Sequence, residues 1–244
     1  MKKYQIYAGI GILLLIATYF APIWWVALKS IQYPKSMYPK GIRIEFKYNG
    51  VYNGCKGVSE RSELSASQAG ANCLIEMNKI NHFIGMYPIV QGINNFDEEG
   101  NRVAYPIYAA ESMTQAEIPG YLKFLDFVLQ NSKYFFIIFV LLGLLFMFSR
   151  KKVLAWTAII AGSIPVYYLL LFIYSLYWYG HHMGLHGGGA FSGIKPFMPT
   201  VFGEGKVAQF ITMSYPNYGF LLAVGALLFF LLAILAKRKD LLNS

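Results

Sequence analysis

Charged residues are scarce in this chain, and those present avoid its apolar runs. Only 14% of the 244 residues are charged, whereas 56% are hydrophobic. Four apolar runs, at about 4–28, 134–148, 153–178 and 218–236, contain no acidic, basic or histidine residue. Proton relays, ion pathways and voltage sensors need such groups inside the membrane, and a haem held within a helix bundle needs histidines there. The absence argues against transport or transmembrane electron transfer by this chain alone.

Sequence motifs of common enzymes are also missing. The chain contains no GxxxxGK[ST] phosphate loop, no GxSxG elbow, and neither HExxH nor CxxCH. No pair of carboxylates lies near a histidine in the sequence. We therefore predict that the protein is not an enzyme.

The apolar runs define the predicted fold class. Each approaches or exceeds the length needed to cross a hydrocarbon core of about 30 Å, the second with help from 124–129. We predict an α-helical integral membrane protein with four transmembrane helices and a small mixed α+β extracytoplasmic region between helices 1 and 2. The predicted parts are a first helix at 1–28, an extracytoplasmic region at 29–132, a transmembrane hairpin at 133–178, a His/Gly-rich extracytoplasmic loop at 179–217, and a fourth helix with a basic tail at 218–244.

The formal charge of +9 is concentrated beside the apolar runs. Basic clusters lie at 2–3, 150–152 and 237–239, so the excess gives no support to a nucleic-acid partner. Because cytoplasmic flanks carry the excess of Lys and Arg, we predict a multi-pass protein of the bacterial plasma membrane with both termini cytoplasmic. The first run could instead be a secretory signal peptide. We favour an uncleaved span, since Pro22-Ile23-Trp24-Trp25 is typical of an interfacial anchor.

Three local patterns predict further structure. Residues 41–48 alternate apolar and charged side chains, which predicts a half-buried strand. Residues 117–130 predict an amphipathic helix at the interface, leading into the second span. Pro165 lies within the third run and predicts a kink there.

Cys55 and Cys73 are the only cysteines, and both fall in the predicted extracytoplasmic region. An oxidising periplasm favours a disulfide that closes this polar loop. The alternative is a pair of thiolate ligands for copper, although CxxC spacing is missing.

Three of the four histidines stand within six residues, immediately after the third run. His181, His182 and His186 are accompanied by Met183 and followed by three glycines. Imidazole and thioether groups suit copper, whereas imidazole alone also suits zinc or nickel. The alternative is a glycine-rich turn whose histidines are hydrogen-bonded near lipid headgroups.

The fourth histidine has a similar neighbour. His82 and Met86 are four apart, so on a short helix they would share a face. They could complete a metal site with the 179–199 segment, or they could be a packed methionine beside a hydrogen-bonded histidine.

Three stretches carry a resemblance to a known group of proteins. They are the segment from Ala21 to Lys29 with the following Gln32-Tyr33-Pro34, the segment Ile80-Asn-His-Phe-Ile-Gly-Met86, and Lys195-Pro-Phe-Met-Pro199. The chain resembles polytopic membrane proteins encoded in bacterial nitrous oxide reductase (nos) gene clusters. The resemblance implies an accessory role in the maturation or operation of the periplasmic copper enzyme that reduces nitrous oxide, with copper as cofactor and Asn81, His82 and Met86 as the shared motif.

Two functions follow as hypotheses. One is a denitrification accessory protein that binds or passes copper at an outer site formed by His181, His182, Met183, His186, His82 and Met86. The other is a non-catalytic scaffold in the lipid bilayer whose aromatic outer loops dock a periplasmic copper enzyme or other respiratory membrane protein.

Overall fold

A computed structural model describes residues 2–31, 33–36, 38–55, 73, 89–90, 119–149, 155–182, 195–207 and 210–242. The helices and strands are, in chain order, α1 (Lys3–Phe20), β1 (Trp24–Lys29), β2 (Ile42–Lys47), β3 (Gly50–Asn53), β4 (Ile89–Val90), α2 (Gly120–Gln130), α3 (Ser132–Phe148), α4 (Ala155–Gly162), α5 (Ile164–His181), β5 (Gly203–Val207), β6 (Phe210–Pro216) and α6 (Tyr218–Leu242).

Helices α1 and α6 form an antiparallel pair at the centre of the bundle. At one end, Lys2 Nζ and Asp240 Oδ2 form a salt bridge of 2.7 Å. At the other end, the Gly219 N–H donates to Pro22 O at 3.0 Å. Both ends of the described chain therefore lie on one side of the bundle, and the sheet lies on the opposite side.

The bundle closes around one aromatic ring. Phe230 of α6 is fully buried, and glycines of three other helices approach it: Gly11, Gly143 and Gly162. A Cβ atom at Gly143 would lie 3.1 Å from Phe230 Cζ. The small residues allow the helix backbones to approach closely.

The third apolar run is broken, as Pro165 predicted. Helices α4 and α5 meet at Ser163 with a bend of 44°. Proline has no N–H, so Pro165 cannot donate to the carbonyl of Ala161, four residues earlier. Helix α2 confirms the helix predicted over 117–130, and it meets α3 at a bend of 56°.

Two described helices are long and apolar enough to cross a membrane: Lys3–Phe20 and Tyr218–Asp240. The number rises to four if each bent pair is a single span.

The six strands form one sheet in the order β4-β3-β2-β1-β6-β5. All neighbours are antiparallel except β3 and β4. The strand predicted at 41–48 is confirmed as β2, with Ile42 and Ile44 buried on the face that Phe46 shares.

Two predicted boundaries are wrong. The first helix does not continue to Leu28 but ends at Phe20, because the residue before Pro22 is forced into an extended conformation. Trp24, Val26 and Leu28 then alternate along β1. The second error is the 179–217 loop, which contains the end of α5 and both strands of the β5–β6 hairpin. The sheet is therefore not confined to the region between the first two helices.

The sheet is joined directly to the helix pair. The chain passes from α1 into β1 and from β6 into α6, and the Asn217 N–H donates to Ile23 O at 2.7 Å between the two connections. Trp24 is buried at this junction against Tyr168, Phe172 and Phe220. Its indole Nε1–H donates to Ser214 Oγ at 2.8 Å. These contacts hold the sheet in a fixed position on the bundle.

Candidate functional site

The candidate site lies where α5 ends, at its sheet-facing end. His181 is the last helical residue and His182 is the C-cap. Both side chains are exposed. The helix thus continues one residue past Gly180, and it presents two consecutive imidazoles at its end.

Each imidazole is fixed by the preceding turn of the helix. His181 Nδ1 is 2.8 Å from Tyr177 O, and His182 Nδ1 is 2.6 Å from Trp178 O. The rings also pack on the same residues, with centroids 4.2 Å apart for His181 and Tyr177 and 4.3 Å apart for His182 and Trp178.

These hydrogen bonds determine which ring nitrogen is available. A carbonyl oxygen can only accept, so Nδ1 must carry the proton and donate it. In a neutral imidazole, Nε2 then keeps its lone pair. Histidines that bind metals commonly donate their other N–H to a backbone carbonyl in this way, which orients the ring. When neutral, His181 and His182 can each bind a metal through Nε2.

A second segment lies beside the same helix end. The Phe197 N–H donates to Gly180 O at 3.2 Å, and the Phe197 carbonyl lies so close to Gly180 that a side chain there has no room. This contact fixes Met198, whose side chain is exposed, in a segment next to the last turn of α5. The contact was not predicted from the sequence, where the only signal is a glycine before the histidines.

Four of the predicted ligands fall outside the described residues: Met183, His186, His82 and Met86. The structure therefore brings together His181 and His182 only. Among the described residues there is no group of three or more His, Cys, Asp or Glu side chains that could hold a metal.

Cys55 and Cys73 are joined by a disulfide, with Cα atoms 5.6 Å apart. Cys73 is buried in a small cluster with Tyr33, Tyr38 and Phe210. A bonded pair offers no thiolate, so in this state the cysteines tie the polar loop to the sheet and do not act as ligands.

Tyr48, which follows β2, is buried against aromatic rings of α3 and α5. Tyr48 lies against Phe136 and Tyr168, with centroids 4.6 and 5.8 Å away. Burial, followed by the nearby Tyr167, raises the pKa of the Tyr48 phenol. Burial therefore favours the neutral form of the Tyr48 phenol.

No protein-family model matches the chain, and no curated protein or solved structure matches it either.

Proposed function

We propose that this protein is a multi-pass membrane accessory protein that binds copper at its outer surface, at a site that includes His181 and His182. In this account the copper serves the maturation or operation of a periplasmic copper enzyme, nitrous oxide reductase.

Membrane placement is supported by the position of the basic residues. The Lys2–Asp240 salt bridge and the Lys237 contact with Phe146 O, at 3.0 Å, lie at the same end of the bundle. Helix α3 also ends there, and the 150–152 basic cluster follows it. The bent pairs then count as one span each, which gives four spans with basic flanks on the cytoplasmic side and the sheet outside.

The orientation has a direct test. A green fluorescent protein fused after Ser244 should fluoresce, whereas alkaline phosphatase fused there should be inactive, because the first folds in the cytoplasm and the second needs the periplasm. The opposite pair of results would place the C-terminus outside and contradict the orientation.

One observation carries the copper proposal: the hydrogen bonds of His181 and His182 leave both Nε2 atoms available at an exposed helix end. Met183 and His186 follow within four residues of His182 in the sequence. Imidazole combined with thioether favours copper over zinc, since the soft thioether suits copper(I).

The choice of enzyme depends on the resemblance to proteins of nos gene clusters. A periplasmic copper enzyme must receive its metal after export, so a donor fixed at the outer membrane surface meets that need. Co-purification with nitrous oxide reductase in a host that produces both proteins would support this part, and a wild-type copper content of the reductase in a host lacking this chain would contradict it.

Copper binding is tested by competition titration of the purified full-length chain with a chromophoric copper(I) chelator. Wild type is compared with a His181→Ala/His182→Ala/His186→Ala variant. The matched control is Lys195→Ala/Glu204→Ala/Lys206→Ala, which changes three exposed residues of the same outer region. Wild type and control should retain copper equally, and the histidine variant should lose it. Equal, near-zero copper in all three proteins would contradict the proposal.

A scaffold function is the second candidate, and a row of aromatic side chains on the sheet favours it. The rings of Trp25, Tyr215 and Phe202 lie side by side on the sheet. The ring centroids are 5.3 Å apart for Trp25 and Tyr215, and 5.5 Å apart for Tyr215 and Phe202. Arg43 lies 4.7 Å above the Trp25 ring, and Phe202 is exposed. Trp, Tyr and Arg dominate the energetics of protein interfaces. Under this alternative, Phe202→Ala would abolish co-purification with the partner and leave copper binding unchanged.

A further inference from the structure

Helix α2 is apolar on two sides. On one side Val128 is buried, and Leu125 and Leu129 line a small apolar cavity between α2, α5 and the β2–β3 hairpin. On the other side Phe124 and Phe127 are 53% and 57% exposed. An ordinary amphipathic helix buries its one apolar face and turns a polar face to water. Helix α2 instead presents two large rings on the side that faces away from the protein.

The outer half of α5 extends this exposed surface. Tyr174 and Tyr177 of α5 are 52% and 50% exposed. The ring of Tyr121 joins the two helices, because its centroid lies 5.0 Å from that of Tyr174 and 6.4 Å from that of Phe124. Together the exposed rings form a surface that we call the outer aromatic patch: Phe124, Phe127, Tyr174 and Tyr177.

The outer aromatic patch is continuous with the exposed apolar surface of α3. The ring of Phe127 lies 6.4 Å from that of Phe135, in the first turn of α3. Further along α3, the exposed side chains are Ile137, Ile138 and Leu141, at the three- and four-residue spacing of one helix face. In the proposed membrane placement this face of α3 contacts lipid acyl chains. The same lipid therefore adjoins the patch.

Helix lengths place the patch at the outer boundary of the lipid. Helix α3 has 17 residues, so when upright it rises about 25 Å, less than a hydrocarbon core of about 30 Å. Helix α2 is inclined to α3 by 56°, so the stretch from Asn131 back to Phe124 adds about 6 Å of height. Phe124 and Phe127 therefore fall in the outermost part of the hydrocarbon layer.

The height of α5 follows from separate contacts. Trp24 packs against Phe172 of α5 and Phe220 of α6, so these two rings lie at a similar height. Phe220 is in the first turn of α6, which is the outer end of a candidate span. The stretch from Phe172 to Tyr177 adds about 5 Å in a helix inclined at 44° to α4. Tyr177 thus lies close to the outer end of the span, at the boundary that Tyr rings prefer.

We infer that α2 and the outer half of α5 are embedded in the outer leaflet, with the outer aromatic patch at the boundary between acyl chains and headgroups. His181 and His182 follow Tyr177 after one helical turn, so they lie at the level of the headgroups. The candidate site then opens along the membrane surface, and a partner reaches it from the side. This inference rests on the proposed membrane placement and is independent of copper.

The test is electron paramagnetic resonance of the spin-labelled full-length chain in phosphatidylcholine vesicles. Cys55 and Cys73 are bonded to each other, so a nitroxide reacts only with an introduced thiol. The labels that probe the patch are placed at the exposed positions Phe124→Cys and Phe127→Cys.

Two further labels calibrate the measurement. Leu141→Cys, on the exposed face of α3, is the reference for lipid, and Glu204→Cys, at an exposed position of β5, is the reference for water. Relaxation is measured with oxygen, which dissolves in acyl chains, and with a neutral nickel chelate, which stays in water. The ratio of oxygen to nickel relaxation should be several-fold higher for Phe124→Cys and Phe127→Cys than for Glu204→Cys, and should approach that of Leu141→Cys.

Ratios at positions 124 and 127 equal to that of Glu204→Cys would overturn the inference. Labels shielded from both reagents would also overturn it, because a second copy or another protein would then cover the patch. A water-like ratio for Leu141→Cys would refute membrane placement itself, and so would be distinguished from failure of the inference alone. If one of the two patch variants fails to fold, the other gives the same comparison.

Discussion

The ring of Phe230 occupies the space that a side chain at position 143 would need. A Cβ on Gly143 would lie 3.1 Å from Phe230 Cζ and 3.1 Å from Ile12 Cγ1. Helices α1, α3 and α6 can therefore pack closely at Gly143, because this residue has no side chain to hold them apart. The same ring fills the space left at Gly11 and Gly162, so the arrangement of the bundle depends on these small residues.

Gly143→Val is therefore expected to destabilise the protein by about 1–3 kcal/mol, since overpacking forces neighbouring backbones apart. Gly9→Val is the control, because a Cβ at Gly9 has no atom within 4 Å outside its own helix turn. Thermal unfolding in detergent should show a lower Tm for Gly143→Val alone. Equal Tm values for the two variants would contradict the packing described.

The buried hydrogen bond at the helix–sheet junction gives a second prediction. Ser214 Oγ accepts from Trp24 Nε1 and donates to Val201 O at 2.7 Å. Ser214→Ala leaves a buried indole N–H unpaired and should cost about 1–3 kcal/mol. In a Trp24→Phe background there is no N–H to leave unpaired, so the same substitution should cost less. A denaturation cycle of the four proteins measures the difference, and a coupling of zero would refute the role of the bond.

Lys237 caps the end of helix α3 from a neighbouring helix. Its Nζ donates to Phe146 O at 3.0 Å and lies 4.2 Å from the centre of the Phe146 ring. That carbonyl belongs to the last turn of α3, where carbonyls have no helical partner and the dipole favours a cation. Lys237→Met should lower stability by about 1–2 kcal/mol. Lys239→Met, at an exposed position of the same helix as Lys237, should change the Tm very little. A similar fall in Tm for the two variants would show that net charge, and not the contact with Phe146 O, determines the effect.

The disulfide gives a fourth prediction. Cys55 and Cys73 are 18 residues apart, and a loop of that length is worth about 3 kcal/mol when closed. The double variant Cys55→Ser/Cys73→Ser should unfold at a lower temperature than wild type, and a reductant should lower the Tm of wild type only. A Tm unaffected by both changes would show that the loop needs no covalent closure.

Much of the helix bundle was predictable because it depends on local composition. Uncharged runs identify α1 and α6 directly, and the alternation at 42–47 identifies β2. Strand β1 was not recognised because Trp24–Lys29 is nearly as apolar as a membrane span. Its partner β6 lies about 190 positions away in the chain, and no local pattern specifies a pairing over that distance.

The candidate site was predictable only in its residue types. The cluster of His181, His182 and His186 follows from the sequence, whereas the protonation of Nδ1 depends on the helix continuing past Gly180 to form bonds with Tyr177 O and Trp178 O. Docking of Phe197 on Gly180 is a non-local contact, and it brings Met198 to the same end of α5. Sequence spacing alone gives no distance between these segments.

X-ray absorption spectroscopy of the copper-loaded, full-length protein tests the central proposal most directly. Wild type should show multiple scattering from imidazole rings around copper, and His181→Ala/His182→Ala should lose most of it, because both Nε2 atoms are the proposed ligands. Lys195→Ala/Lys206→Ala, also at exposed positions of the outer region, should leave the spectrum unchanged. A copper spectrum without imidazole scattering in wild type, or one unchanged by loss of the two histidines, would contradict the account.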